Sequence, residues 1–149
     1  MSAPRLRPAR PTDAGRVGQI LSEFIDETPW MPRLHSRAED LSIAGRMVDA
    51  GWVTVAETSQ IEGFVAQRGD EVLALFVAPG ARGNGVGRRL LETAKAGRVR
   101  LTLWTFQAND RAQAFYAREG FREIERTDGT DNDEQLPDVH YVWESEALR

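Results

Sequence analysis

Residues 71–91 read EVLALFVAPGARGNGVGRRLL, and this stretch decides the fold. Its first part, residues 72–78, is an unbroken apolar run, which is typical of a strand buried on both faces and is too short to cross a membrane. A Pro-Gly pair ends the run. Glycine then occupies every second position: Gly83, Gly85 and Gly87. Residues 88–91 begin a helical pattern, so the stretch predicts a buried strand, a glycine loop and the first turn of a helix.

The predicted glycine loop has the features of a phosphate-binding site. Alternating glycines allow backbone N–H groups to point into one concavity, with no Cβ atom to keep a ligand away. The following helix would add its unpaired N–H groups and the positive end of its dipole. Arg82, Arg88 and Arg89 add full positive charges nearby. Together these features indicate a phosphate or pyrophosphate ligand.

The spacing of the glycines excludes two common nucleotide-binding loops. A Walker loop requires Lys and then Ser or Thr after its last glycine, but Gly85 is followed by Val86 and Gly87. A dinucleotide fingerprint requires glycine where Arg88 stands. The pattern that fits is Arg-x-x-Gly-x-Gly, beginning at Arg82. A strand-to-helix turn that needs glycines for its geometry alone is the alternative.

Length and composition predict a single soluble domain spanning residues 1–149, which at this size would bury about 70% of its unfolded surface. The chain is 28% charged, and its formal net charge of −4 argues against nucleic acid or an anionic membrane as a partner. It contains no cysteine, which excludes disulfides and thiolate ligands and fits a reducing cytoplasm. Residues 1–13 lack the apolar segment of a signal peptide. We therefore expect a cytoplasmic protein without a metal site.

Periodicity, capping residues and turns predict one continuous series of strands and helices. Strands are expected at residues 6–9, 51–57, 61–67, 72–78, 99–106, 121–126 and 139–143. Helices are expected after caps at residues 12–13, 36 and 109, and directly after the glycine loop. Residues 26–34 and 127–137 are predicted to be loops. The order is strand, helix, helix, three strands, helix, strand, helix and two strands.

A second motif lies at residues 109–121, NDRAQAFYAREGF, and leaves room for one helix and one strand after the glycine loop. It contains the pattern Asn-x-x-Ala-x-x-(Phe/Leu)-Tyr-x-x-x-Gly-Phe, with these residues at the specified positions: Asn109, Ala112, Phe115, Tyr116, Gly120 and Phe121. Both this motif and the glycine loop after a strand ending Val-x-Pro resemble signatures of the GNAT (Gcn5-related) superfamily of N-acetyltransferases. The two motifs occur here in the order and at the spacing that the family requires.

The resemblance implies an α+β fold with a mixed, mostly antiparallel sheet of six to seven strands and helices on both faces. The strand at 72–78 and the strand at 99–106 would splay apart at their carboxyl ends and admit the pantetheine arm of acetyl-CoA. The backbone groups of Leu75, Phe76 and Val77 would bind the pantetheine arm and the acetyl group. The pyrophosphate would be bound by these residues of the loop: Arg82, Gly83, Asn84, Gly85, Val86, Gly87 and Arg88. Asn109 would also touch the cofactor. A homodimer is compatible with the resemblance.

The predicted function is an acetyl-CoA-dependent N-acetyltransferase that moves an acetyl group to a primary amine of a small molecule or peptide, by direct attack in a ternary complex. The resemblance places Tyr116 near the thioester sulfur, where a phenol can protonate the leaving thiolate. Judged by its position in the helix alone, Tyr116 could equally well be a residue that only packs in the core. Glu71 would be the general base, although it also stands beside a turn where a solvated Glu is common. His140 is a further candidate, as a water-relayed base or a structural residue.

Two segments are expected to face the acceptor because they combine carboxylates with apolar or aromatic groups. The predicted acceptor residues are Glu27, Trp30, Met31 and Asp133. Carboxylates would attract a cationic amine, and an aromatic ring would cover its apolar part. The acidic segment also fits a solvated hairpin loop. Two rival functions use the same glycine loop: a non-catalytic acyl-CoA-binding or regulatory module, and a nucleotide-binding module.

Overall fold

The computed structural model describes residues 3–148 and contains the predicted order of elements. Their bounds are β1 Arg5–Pro8, α1 Ala14–Glu27, α2 Arg37–Asp49, β2 Val53–Glu57, β3 Ile61–Arg68, β4 Glu71–Val77, α3 Val86–Lys95, β5 Arg100–Phe106, α4 Asp110–Arg118, β6 Arg122–Thr127 and β7 Asp138–Glu144. Short 3-10 turns lie at Pro11–Asp13, Pro79–Ala81 and Glu146–Leu148. No helix in this part of the chain has the length and apolar character needed to cross a membrane.

The strands form one seven-stranded sheet in the order β1-β2-β3-β4-β5-β7-β6. Neighbouring strands are antiparallel except β4 and β5, which are parallel because α3 forms the crossover between them. The predicted α+β fold with a mixed, mostly antiparallel sheet is therefore confirmed. The central position of β4 agrees with its continuous apolar sequence.

Two apolar cores lie on opposite faces of the sheet. Helices α3 and α4 cover the first core, where Leu90 and Leu91 of α3 meet Leu101 and Leu103 of β5. Helices α1 and α2 cover the second core over β2, β3 and β4, and its largest fully buried side chain is Phe64. Helices on both faces of the sheet were predicted. Because side chains alternate along each strand, successive residues of a strand belong to opposite cores.

The early helices differ from the prediction in two details. Residues 26–27 belong to the last turn of α1, so the predicted loop begins later. Asp13 does not cap α1 through its side chain, because its carboxylate accepts hydrogen bonds from the Arg7 guanidinium and the Arg10 N–H. The predicted capping box of Ser36 and Glu39 is confirmed.

We expect Leu90→Ala to lower the free energy of unfolding by about 2–5 kcal/mol, measured by urea denaturation. Leu90 is fully buried, and a Cβ built on Gly63 of β3 would lie 3.2 Å from its Cδ1, so α3 packs closely on the sheet at this point. The matched control is Leu34→Ala, because Leu34 is 46% exposed and should change stability by less than about 0.5 kcal/mol. Equal losses in the two variants would contradict the assignment of Leu90 to the core.

Candidate active site

Strands β4 and β5 pair over a short distance and then separate. Their parallel pairing comprises Glu71 opposite Thr102 and Val72 opposite Leu103, although each strand continues for several more residues. On their other edges β4 remains paired with β3, and β5 with β7. The sheet therefore consists of two halves that meet at the amino ends of β4 and β5 and open into a cleft at their carboxyl ends.

A β-bulge in β4 lies where the cleft begins. Gln67 of β3 is opposite Val72, and Ala66 is opposite Ala74, which leaves Leu73 as the extra residue of β4. A bulge bends its strand and increases the local twist. We therefore attribute the divergence of β4 from β5 to the insertion of Leu73.

The register also determines which backbone groups face the cleft. The N–H of Ala78 donates to the carbonyl oxygen of Glu62 at 2.8 Å. Because hydrogen-bonding direction alternates along an antiparallel strand, Phe76 also directs its backbone groups to β3, whereas Leu75 and Val77 direct theirs toward the cleft. This geometry argues against Phe76 as a backbone ligand, since its polar groups already have partners. Leu75 and Val77 stay predictions that the register favours.

Residues 83–88 form the glycine loop and the first turn of α3, and their backbone N–H groups are unpaired. Nothing within residues 3–148 accepts a hydrogen bond from them, whereas the Arg89 N–H donates to the Gly85 oxygen at 3.1 Å and closes the first helical turn. Gly83 and Gly85, on either side of Asn84, have φ angles of +83° and +80°, which only glycine adopts without strain. Consecutive free donors at a helix N-terminus form an anion-binding site.

Packing fixes the direction of this first helical turn. The side chain of Val86 is buried in the first core, which anchors the start of α3 to the sheet. A Cβ built on Gly87 would lie 3.5 Å from the Phe115 Cζ of α4 and 3.7 Å from the Val77 Cγ2 of β4. The free N–H groups are therefore held beside the end of β4, at the open end of the cleft.

The arginines of the loop do not add the charge that the sequence analysis expected. Arg82 Nε donates to the Val77 carbonyl oxygen at 3.2 Å, and its NH1 lies 3.5 Å from a Glu27 carboxylate oxygen. Arg88 extends toward Glu92 and Glu119, at 3.3 and 3.8 Å. These contacts pair each guanidinium with a carboxylate, so the anion site consists mainly of backbone dipoles.

Arg89 points away from the loop as well. Its guanidinium donates to the carbonyl oxygen of Pro4, before the first strand. Arg88 borders a cavity of about 420 Å³ between α3, the end of α4 and the end of β7, and residues 83–87 do not line it. Arg88 and Arg89 therefore extend away from residues 83–87, whereas Arg82 stays at the end of β4. Contact of the Arg82 and Arg88 side chains with phosphates stays a prediction, which their ion pairs do not favour.

The second motif provides a helix cap and keeps one polar group free. The Asn109 side-chain oxygen accepts a hydrogen bond from the Ala112 N–H at 3.0 Å, so the predicted cap of α4 is confirmed. Within the described residues the Nδ2 group of Asn109 has no acceptor, which leaves it able to donate to a ligand. Gln113 Nε2 donates to the Gln107 oxygen at 2.7 Å and ties α4 to the end of β5. Contact of Asn109 with a cofactor stays a prediction.

Tyr116 has a buried ring and an accessible hydroxyl. Its ring packs against Phe115, Phe121 and Tyr141, at centroid distances of 5.2, 5.5 and 6.2 Å. The residue is 8% exposed, and desolvation raises the pKa of its phenol above the ordinary value. Within residues 3–148 the hydroxyl makes no hydrogen bond, yet it is not among the fully buried unpaired atoms, so it reaches solvent. Tyr116 thus combines a packing role with a hydroxyl that stays protonated.

The position of Glu71 argues against a role as general base. It lies at the paired end of β4 and β5, opposite Thr102, whereas the cleft opens at the other end. Leu75, four positions further along β4, is about 13 Å away at the usual rise of a strand. The carboxylate is also engaged by Arg68 at 2.8 Å. The alternative of a solvated turn residue accounts for Glu71 better.

The segment between α1 and α2 is fixed by an arginine. Arg33 donates to Asp26 at 2.7 Å and to the buried Asp40 at 2.8 Å, and it also donates to the Ser22 oxygens. Hydrogen bonds from Arg37 and then Arg33 lower the pKa of Asp26 below its ordinary value. Asp26 is therefore occupied by ion pairs and is not free to attract an acceptor.

The predicted acceptor residues fall in different environments. Trp30 packs edge-on against Phe106 at the carboxyl end of β5, with ring centroids 5.8 Å apart, so it lies at the cleft. Met31 lies beside it, in a turn closed by a hydrogen bond from the Met31 N–H to the Thr28 oxygen. Glu27 is partly neutralised by Arg82. Asp133 is exposed and forms no ion pair with any residue that the structure describes.

Trp104 lies beside the cleft, although it was not predicted as a site residue. Trp104 is 41% exposed and follows Leu103, the last residue of β5 that pairs with β4. The available signal was an indole on the side of an alternating strand that begins with the polar residues Arg100 and Thr102. That pattern indicates an exposed aromatic ring, but only the sheet places this ring beside the cleft.

The model of the acetyltransferase (GNAT) domain family matches residues 49–123, which is about half of the chain. The chain belongs to the GNAT acetyltransferase family. The matched segment of this GNAT domain runs from the end of α2 into β6, and includes the cleft-forming strands, the glycine loop and α4.

Individual relatives agree with this assignment. The chain is 37% identical over 92 residues to the peptidyl-lysine N-acetyltransferase YjaB of Escherichia coli K12, an alignment that spans 62% of this chain and 63% of that protein. The solution structure of apo-form YjaB from Escherichia coli has 26% identity and a TM-score of 0.79, covering 96% of this chain and 98% of that one. The structure of yncA from Salmonella typhimurium with acetyl-CoA shares the fold, with 18% identity, a TM-score of 0.72 and coverage of 96% and 94%.

Proposed function

We propose that this GNAT protein is an acetyl-CoA-dependent N-acetyltransferase that acts on a primary amine by direct attack in a ternary complex. The observation that carries the proposal is the unpaired N–H groups of residues 83–88 at the open end of the β4–β5 cleft. An anion site beside an open strand edge suits a ligand that has a pyrophosphate at one end and an extended arm at the other.

The residues present fit acetyl-CoA. Residues 83–88 would hold the pyrophosphate through backbone N–H groups, with open space above the glycines. The cleft-facing backbone of Leu75 and the N–H of Val77 would pair with the amide groups of pantetheine, as a strand edge pairs with an extended peptide, while the Val77 carbonyl oxygen already accepts from Arg82. The free Nδ2 of Asn109 offers one further donor. The fold neighbour yncA, whose structure contains acetyl-CoA, supports this choice of ligand.

Bound acetyl-CoA supplies an acetyl thioester, whose acyl carbon forms a bond to the acceptor nitrogen while the carbon–sulfur bond breaks and CoA leaves as a thiolate. A cleft-facing backbone N–H of Leu75 or Val77 would stabilise the charge that develops on the acyl oxygen. Tyr116 would donate its phenolic proton to the leaving sulfur and would regain a proton from solvent at its hydroxyl, which is not fully buried. The acceptor would lose one ammonium proton to water in the cleft before it attacks as a neutral amine, and a second proton from the same nitrogen after the bond to the acyl carbon forms.

We propose that the acceptor is the side-chain amine of a lysine in a peptide. The relatives of similar sequence from Escherichia coli and Salmonella typhimurium are named peptidyl-lysine N-acetyltransferases. The loop between β6 and β7 presents exposed carboxylates, including Asp131 and Asp133, which would attract a cationic peptide. Trp30 at the mouth of the cleft would cover the apolar part of such a side chain.

Two measurements on the wild-type protein test the proposed function. We expect CoA to raise the melting temperature, because a ligand at about 100 times its Kd stabilises the folded state by about 2.7 kcal/mol, and we expect ATP and NAD to have little effect. We expect acetyl-CoA with a lysine peptide to release free thiol and to add one acetyl group to the peptide by mass spectrometry. Stabilisation by ATP or NAD alone would identify a nucleotide-binding module. Stabilisation by CoA without acetylation of any amine in a panel would identify a non-catalytic acyl-CoA-binding module.

A further inference from the structure

The half of the sheet formed by β5, β7 and β6 has one face that the helices leave uncovered. Helices α3 and α4 cover its other face, where Leu101, Leu103 and Tyr141 are buried. Helices α1 and α2 form their core with β2, β3 and β4 instead. Because side chains alternate along a strand, this face carries these residues of β5 and β7: Arg100, Thr102, Trp104, Phe106, Asp138, His140 and Val142, of which Val142 is buried by its neighbours.

Trp104 is held rigidly on this face although it is 41% exposed. Its ring stacks on His140, with centroids 4.1 Å apart and an interplanar angle of 2°. The His140 side chain is only 19% exposed, and its Nδ1 lies 3.6 Å from a carboxylate oxygen of Glu125 on the neighbouring strand. Since one face of the indole is covered by the imidazole, its exposure comes from the opposite face and the edges. An indole fixed in this way presents a preformed apolar and π surface.

The location of the indole relates it to the cleft. Trp104 is the first residue of β5 beyond the last pair with β4, so it stands where the two strands part. Its side chain lies on the face opposite α3, the helix whose first turn carries the free N–H groups. An acyl carrier held by those N–H groups would reach into the cleft from one side. The amine that meets its acyl group would then approach from the side of Trp104.

The charges around the uncovered face favour a cation. Glu125 lies behind His140, and the exposed Asp131 and Asp133 lie on the β6–β7 loop without an ion pair to any described residue. Gln107 fastens this loop to the end of β5, because its Nε2 donates to the carbonyl oxygens of Thr127 and Asp138 at 3.1 and 3.0 Å. The basic side chain of β6 on this face, Arg122, is paired with Glu144 at 2.9 Å. The exposed Arg100 of β5 shares the face, but it lies four residues from Trp104, about 13 Å toward the closed end of the cleft.

We propose that Trp104 is the acceptor platform of this enzyme: the alkyl chain and ammonium group of a peptide lysine lie on its open face, and His140 and Glu125 are positioning residues that hold the indole. The proposal rests on the proposed transferase function and adds the residue that selects the acceptor. The aromatic surface continues through Phe106 to Trp30, whose ring packs against Phe106, so a peptide would have contacts on both sides of the lysine. A cation–π contact of this kind requires an unbranched chain that ends in a positive charge.

The first test separates acceptor binding from chemistry. We expect Trp104→Ala to raise the KM for a lysine peptide about tenfold, with the KM for acetyl-CoA unchanged, and Trp104→Phe to recover most of the loss. His140→Ala and Glu125→Gln should raise the same KM by smaller factors. The control is Val99→Ala, since Val99 is 52% exposed at the far end of β5 and should leave every constant unchanged. Unchanged acceptor KM in both Trp104 variants would overturn the proposal.

The second test does not depend on turnover. The indole N–H signals of the four tryptophans are recorded by NMR with ¹⁵N labelling, and Trp104→Phe assigns the Trp104 signal. We expect a lysine peptide to shift the Trp104 and Trp30 signals but not those of Trp52 and Trp143, and the same peptide with norleucine in place of lysine to have a much weaker effect. A shift of Trp104 in a protein that transfers no acetyl group would sustain the platform while the transferase assignment fails.

Two outcomes of these experiments would reject the platform. Equal shifts with the norleucine peptide would show that the indole does not recognise the ammonium group. A Trp104 signal that depends on protein concentration rather than on peptide, together with loss of a dimer in Trp104→Ala by gel filtration, would identify the face as a contact between copies of this chain. Binding of CoA by each variant, measured by calorimetry, verifies that the fold is intact.

Discussion

Gly85→Glu is expected to lower the affinity for CoA by at least about 100-fold, measured by calorimetry. Gly85 precedes α3 with a φ of +80°, in the middle of the unpaired N–H groups of residues 83–88. A glutamate there would strain the loop and place a negative charge where the pyrophosphate binds. The loss of about two charge-assisted hydrogen bonds, each contributing about 1.5–3 kcal/mol, accounts for a factor of this size.

The matched control for this substitution is Gly97→Glu. Gly97 follows the other end of α3, has a φ of +74°, and, like Gly85, would place a Cβ in open space. The control therefore carries the same change of charge and the same backbone strain but lies away from the free N–H groups. Equal loss of CoA affinity in the two variants would mean that the effect is one of stability, and normal affinity in Gly85→Glu would remove the loop from the binding site.

Tyr116→Phe is expected to lower kcat about 10²-fold or more, with little change in the KM for acetyl-CoA, because one general acid commonly contributes a factor of this size. The substitution keeps the ring contacts with Phe115, Phe121 and Tyr141 and removes a hydroxyl that has no hydrogen-bond partner among the described residues. Stability should therefore change by less than about 0.5 kcal/mol. A loss of rate without a loss of stability separates the chemical role of Tyr116 from its packing role.

The matched control is Tyr141→Phe. Tyr141 is 5% exposed in the same core, and burial raises the pKa of its phenol as well. This variant should retain wild-type kcat. Because burial raises the pKa of Tyr116, its phenol keeps the proton at neutral pH and up to about pH 10, the ordinary value for tyrosine. The pH–rate profile should accordingly show no alkaline loss below about pH 10, and such a loss that persists in Tyr116→Phe would identify another group as its source.

The sequence predicted most of the fold because its local signals agree with one another. The apolar run of β4 predicts a central strand, the glycines require a sharp strand-to-helix turn, and Asn109 caps α4, as observed. Burial of β4 on both faces was also predicted, but only Val72 is buried and Leu73 is exposed, because β4 borders the open cleft. The N-terminal bounds were less accurate. Asp13 reads as a helix cap, but a long-range partner, Arg7, takes its carboxylate, and a sequence pattern does not contain that competition.

One part of the candidate site could also be predicted from the sequence, and another part could not. Residues 83–88 could be identified from sequence because an anion site made of backbone N–H groups depends on local conformation, and local conformation follows from the positions of glycine. The direction of the arginine side chains could not be identified. Arg82 reaches Glu27, Arg88 reaches Glu119 and Arg89 reaches Pro4, and each of these partners is remote in the chain.

By itself, the sequence determined the order of the elements, the phosphate-binding loop and the tyrosine that follows it, since these depend on short-range spacing along one strand or helix. Tertiary structure alone decided where the sheet opens. The bulge at Leu73 is visible only when β4 is aligned with β3. The pairing of β4 with β5 places Glu71 at the closed end of the cleft. Tertiary structure also decided that Trp104 lies at the open end of the cleft and stacks on His140, because strand pairing brings together residues that are far apart in the chain.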